Sequence, residues 1–376
     1  LIIFMEDVVF KNIAKIIERD SKVTTYKYAL LRGVIDIIQD NSPFISFSDG
    51  RVNIPTGILI EKWILYYYPI LESPTYIPQI NGDVNLAFGN QLDKIISAYR
   101  PIGGFSAFYN DLKNKGIPES TKQDFIALAK KLQETITKMP MKYIGRSISN
   151  DFYSIFNYHA QRPRTHSSTS IDIEFLINNF GSFSLPVEYY EAFKVLGSFI
   201  GGQDSILFKW AEFSVNASGK RLSIENVVNE VLRNPITERD VTESKNIYRS
   251  ILKKEGKVYC VWTGKSISRY DVDHMIPFSV WKNNDLWNLL PSQSTTNNQK
   301  WDKIPSPDLI ERRKDLILYY WNLIKHNQPQ RFQKEMQVAL LGNNPFTAWQ
   351  ETAIQQLQSS CEYLISNRGY DEWNIN

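Results

Sequence analysis

Apolar side chains recur at three- and four-residue steps through most of the first 235 positions, the spacing that gives an α-helix one water-avoiding face. Tyr28, Leu31, Ile35 and Ile38 show it most plainly, so helices are predicted over 6–19 and 23–39, packed as a pair. The pattern then alternates over 44–54 around Asp49-Gly50, and a two-residue turn of that type, which needs positive φ, predicts a hairpin. Pro55 opens a helix through Tyr68. Helices are expected again over 83–99, 104–115 and 119–138, divided by Pro-Gly breakers at 101–104 and 116–118. A short strand over 143–148, a second hairpin over 175–185, and helices over 186–197, 202–216, 223–233 and 237–255 complete the region.

The periodicity changes after Glu255. A β-branched run closes on Asp271-Val272-Asp273-His274-Met275-Ile276-Pro277, where the proline ends a strand. Asn283 to Pro291 reads as a turn and a second short strand. Ser294-Thr295-Thr296-Asn297-Asn298-Gln299-Lys300 reads as a helix opened by a Ser or Thr cap. Trp281, Trp287 and Trp301 are the large apolar groups from which so small a module would build its core. Ser306-Pro307 caps a long helix that turns Leu309, Ile310, Leu316, Ile317, Tyr320, Trp321 and Ile324 inward, and two more helices follow over 329–341 and 345–367. The expected fold class is mainly α (α+β): a helical body with small hairpins over 1–235, a strand–strand–helix module over 236–306, and C-terminal helices over 307–376 packing on it.

Composition narrows the function only slightly. A chain of 376 residues with 43% hydrophobic and 22% charged residues is ordinary globular material. A net charge of +3 means that any nucleic-acid surface is a local patch. Two cysteines, Cys260 and Cys361, make no disulfide framework and fit a reducing cytoplasm. The longest apolar run, 57–71, contains Glu61, Lys62 and Pro69, so no membrane span is expected. Leu1 to Phe4 is too short for a signal segment, which leaves Met5 as a candidate native start.

The strand–strand–helix stretch carries the candidate chemistry. Asp273-His274 at a strand end, Asn288 fourteen residues after the histidine, Asn297 twenty-three after it, Lys300 three further on, and the preceding Cys260-x-x-Thr263-Gly264 turn resemble the HNH endonucleases. The His-Asn-Asn variant and its spacing are similar to the HNH domain of RNA-guided CRISPR effector nucleases. The resemblance covers about residues 255–306 and implies a ββα-metal fold that hydrolyses phosphodiester bonds in DNA, in a bacterial restriction or antiviral-defence setting. Thr263 stands where many such modules carry a second zinc-binding cysteine, so structural zinc is not expected and Cys260 should be packed.

The residue types suit that reaction, which needs a base for water and a cation for the charge growing on the phosphate. His274 is the candidate base. Asp273 and the amide oxygen of Asn297 are candidate ligands for Mg²⁺, or for Mn²⁺ in its place, since both ions favour oxygen donors. Asn288 is expected to pin the loop through backbone hydrogen bonds. Lys300 and Asn298 are candidate phosphate contacts, and Asn298 remains an alternative to Asn297 as ligand. Arg162 and Arg164, in the loop 161–170, could follow a DNA backbone or lie in a plain exposed linker. One base per module implies one cut strand per engagement, so cutting both needs a second copy or a second visit, and at least a transient homodimer on DNA is expected. The alternative is a nuclease or regulatory subunit that works only inside a larger complex whose partner supplies recognition or activation.

Overall fold

A computed structural model describes residues 2–82, 85–145, 154–164, 169–198, 200–232 and 239–375, the side chains of 2–7, 198, 200–205 and 230–232 excepted. It divides into two compact units, 1–39 with 44–235 and 40–43 with 236–376. Helices dominate both, in keeping with a mainly α (α+β) chain.

The first unit is built round the helix Thr56–Glu72, buried on almost every side by Ile58, Leu59, Ile60, Trp63, Ile64, Tyr67 and Tyr68. Gly57 lets a neighbouring backbone come close: a Cβ there would sit 1.9 Å from the carbonyl oxygen of Leu176. The hairpin at Asp49-Gly50 forms, with both residues at positive φ, between β1 (Ser46–Ser48) and β2 (Arg51–Pro55). No hairpin spans 175–185. Asp172 caps the backbone N–H of Phe175 and starts the helix Ile173–Asn179, whose apolar face is Ile173, Leu176 and Ile177. The sheet is completed by partners remote in sequence, β3 (Asn157–His159) and β4 (Ser182–Pro186), in the order β1-β2-β4-β3. Of the strand expected over 143–148, Tyr143 ends the short helix Pro140–Tyr143, Ile144 and Gly145 form a turn, and 146–148 lie outside the described residues.

The second unit holds β5 (Val258–Tyr259) on β6 (Ser266–Ile267), β7 (Asp271–His274) antiparallel to β8 (Leu289–Ser292), and β9 (Ile304–Pro305) parallel to β10 (Glu372–Trp373). One core joins these strands to the C-terminal helices through Trp287, Tyr320, Trp321, Phe332 and Trp349. The helix expected over 237–255 begins only at Thr242, so Arg239 precedes it. Of the three tryptophans assigned to the module's core, Trp287 is buried and Trp281 half-buried. Trp301 is 77% exposed, because it follows the helix Ser294–Lys300 in a turn at φ 53° that points it away from the core. Among the described residues, no helix is long and apolar enough to cross a membrane.

Candidate active site

The strand pair positions the candidate residues by register. Asp273 lies opposite Leu290 and His274 opposite Leu289. Strand alternation sends neighbouring side chains to opposite faces, and their partners differ accordingly.

Asp273 is 3% exposed. Its Oδ2 accepts the indole N–H of Trp262 at 2.6 Å, and its Oδ1 meets the Lys300 ammonium at 3.2 Å. Lys300, wholly buried, also donates to the carbonyl oxygen of His274 at 2.7 Å. Burial pushes the Asp273 carboxyl upward, and the Lys300 charge pulls it back. The lysine expected to touch phosphate is therefore an internal counter-ion.

His274 is 2% exposed. Its Nε2 lies 3.1 Å from Asn284 Oδ1, its ring tilts against Phe278 at 5.6 Å, and its Nδ1 is buried without a hydrogen-bond partner. Burial pushes the imidazole down to about 4, with the Asn284 bond opposing and the Arg239 and Lys300 charges assisting. The ring is therefore neutral at pH 7.

Asn288 ties the end of β7 to the start of β8. Its Oδ1 accepts the Ile276 N–H at 2.8 Å, its Nδ2 donates to the Ile276 carbonyl at 3.0 Å, and its own carbonyl accepts the Met275 N–H at 2.7 Å. Asn297 is half-buried one turn before Lys300, and its N–H is already taken by the Gln293 carbonyl. Asn298 is exposed. Arg162 and Arg164 are exposed and belong to the first unit.

Four residues bear on the site that motif spacing does not reveal. Trp262, inside the Cys260–Gly264 turn, anchors Asp273. Asn284 holds the histidine. Arg239 donates to the Val272 carbonyl at 3.3 Å. Glu335, from the helix Pro329–Met336, accepts the Leu286 N–H at 2.6 Å and the Arg331 guanidinium at 2.6 Å, which braces the loop between Asn284 and Asn288. Burial and the Asp285 carboxylate push Glu335 up to about 8. Only the run Asn283-Asn284-Asp285 beside a candidate base was a usable signal, and it reads equally as turn chemistry.

Divalent-metal chemistry is implied by the resemblance. Among the described residues no three His, Cys, Asp or Glu side chains gather to hold an ion. The ammonium at Asp273 already neutralises the carboxylate and would repel a second cation beside it. As these side chains stand, they do not fit a hard divalent ion.

The strand pair β7–β8 and the helix Ser294–Lys300 lie within residues 260–306, the stretch that matches the HNH endonuclease family model. The body matches separately: residues 7–231 fit the domain of unknown function DUF8808, and the chain belongs to that family. No curated protein and no solved structure matches the chain.

Proposed function

We propose that this chain is an endonuclease that hydrolyses phosphodiester bonds in DNA, with His274 as general base. The supporting observation is the Nδ1 atom of His274, a buried ring nitrogen without a partner on a neutral imidazole. With no partner in the fold, that nitrogen can take a proton from water once the site opens to admit one. The water oxygen then bonds to phosphorus as the bond to the leaving oxygen breaks. Asn288 holds the loop in register, and Asn298, Arg162 and Arg164 are candidate phosphate contacts. Mg²⁺ held by Asp273 and Asn297 is what the resemblance implies, but with Asp273 paired to Lys300 these residues do not fit the ion, and no step of the proposal runs through it. A bacterial restriction or antiviral-defence role in the cytoplasm, the likeness to the CRISPR effector variant, and a homodimer for double-strand cleavage belong to the same proposal.

One observation favours the second reading, a nuclease subunit active only within a larger complex. A base 2% exposed and a carboxylate neutralised by a buried lysine describe a closed site. Substrate or a partner has to open it. Incubating supercoiled plasmid with Mg²⁺ and the purified chain separates the readings: unaided cleavage supports the first, cleavage only with added partner the second. In whichever setting cleavage occurs, His274→Ala should slow it on the order of 10²–10⁴-fold. An unchanged rate removes His274 from the mechanism.

A further inference from the structure

The candidate base has two ring nitrogens, and only the one without a proton can act. Which one that is follows from a neighbouring amide. The oxygen and nitrogen of an asparagine side chain look alike, but a backbone N–H can only donate. The Asp240 N–H points at the Asn284 side chain at 3.1 Å, so the atom it meets is the oxygen. The same oxygen faces His274 Nε2 at 3.1 Å. An amide oxygen only accepts, so Nε2 must carry the hydrogen, and the lone pair of the neutral ring falls on Nδ1. Nδ1 is the buried nitrogen without a partner.

The loop is built to hold this amide. Asn283 Oδ1 accepts the Asp285 N–H at 2.7 Å, Asn283 Nδ2 donates to Asp285 Oδ2 at 2.8 Å, and Glu335 fixes the next backbone N–H from a separate helix. Asn284 is thereby fixed between the segment that precedes the helix Thr242–Glu255 and the histidine, and it lies outside the residue pattern that carries the family resemblance.

We infer that Asn284 is a positioning residue: held by the Asp240 N–H, it keeps the proton of His274 on Nε2 and so presents Nδ1 to the water. This rests on His274 being the base, but the tautomer can be read without any reaction. The experiment is nitrogen NMR on the full chain labelled in histidine, at a pH where the ring is neutral, with the His274 signals assigned by their loss in His274→Gln. The parent should show a protonated Nε2 and a bare Nδ1. Asn284→Ala should mix the tautomers and cut cleavage on the order of 10²-fold, the lower range of what a general base supplies. Asn284→Asp, which still accepts from both donors, should keep the tautomer and restore part of the rate. A parent with its proton on Nδ1, or an Asn284→Ala protein with an unchanged tautomer, overturns the inference. Expected tautomers in a chain that cleaves nothing under any condition would uphold it and sink the nuclease reading instead.

Discussion

Replacing Lys300 by methionine tests the arrangement most directly. Methionine keeps most of the apolar stem and removes the ammonium 3.2 Å from Asp273 Oδ1 and 2.7 Å from the His274 carbonyl. Both charged side chains are buried, at 0% and 4% exposure, so the remaining carboxylate cannot turn to water. Breaking one side of such a pair costs about 3–5 kcal/mol, because it strands a charge rather than merely losing an attraction. For a unit of this size each kcal/mol lowers Tm by about 2–4 °C, which makes the expected drop roughly 6–20 °C. The sign with pH follows. Without Lys300 the Asp273 carboxyl is raised further, so the deficit should shrink as the solution becomes acidic and grow as pH rises through the raised folded value. Adding Asp273→Asn should recover much of the loss, since the stranded charge is gone and Trp262 keeps an acceptor. Thermal unfolding of all three proteins in EDTA, repeated with millimolar Mg²⁺, is the assay. Stabilisation by Mg²⁺ of the lysine variant alone shows that the ammonium and the ion compete for one carboxylate. A loss under about 1 kcal/mol in EDTA refutes the claim that this pair supports the fold.

Other consequences can be checked independently. Asn288→Ala leaves the buried Ile276 N–H and C=O without their partner, which should cost about 2–6 kcal/mol in urea unfolding, at about 1–3 kcal/mol for each stranded group. His274 has a folded value of about 4 against about 6.5 unfolded, so the unfolded chain takes up the proton first. Its contribution, about 3 kcal/mol, is fully present above pH 6.5 and is lost as pH falls toward 4, and His274→Gln should flatten that part of the stability curve. The same shift places the acid limb of single-turnover cleavage near pH 4. A limb near 6.5 would mean that the reacting form exposes the ring. Trp301→Gly removes a bulky side chain from a positive-φ turn and should stabilise by about 1 kcal/mol. A loss of stability would show that the exposed indole packs on the fold.

Local chemistry carried the legible part of the chain. The helical periods, the Asp49-Gly50 hairpin, the strand at Asp271–His274 and the spacing of His274, Asn288 and Asn297 depend on neighbours a few residues away. The fold class and the module were therefore readable from residue order. The segment 175–185 misled because its apolar run suits a helix face as well as a strand, and the Asp172 cap together with packing on Gly57 decided between them. Trp301 misled because composition marks a tryptophan as core, whereas the turn after Lys300 decides where its ring points.

From the sequence alone came a mainly helical chain with a strand–strand–helix module and an Asp-His step at its centre, because hydrophobic period, turn chemistry and motif spacing are properties of the order of residues. Tertiary structure alone decided that Lys300 serves Asp273 and not a phosphate, that Asn284 holds the histidine, and that Glu335 reaches back from a distant helix to brace their loop. Those are contacts between groups 10 to 49 residues apart, and the energy of a buried charge or an oriented proton depends on what the rest of the fold places beside it.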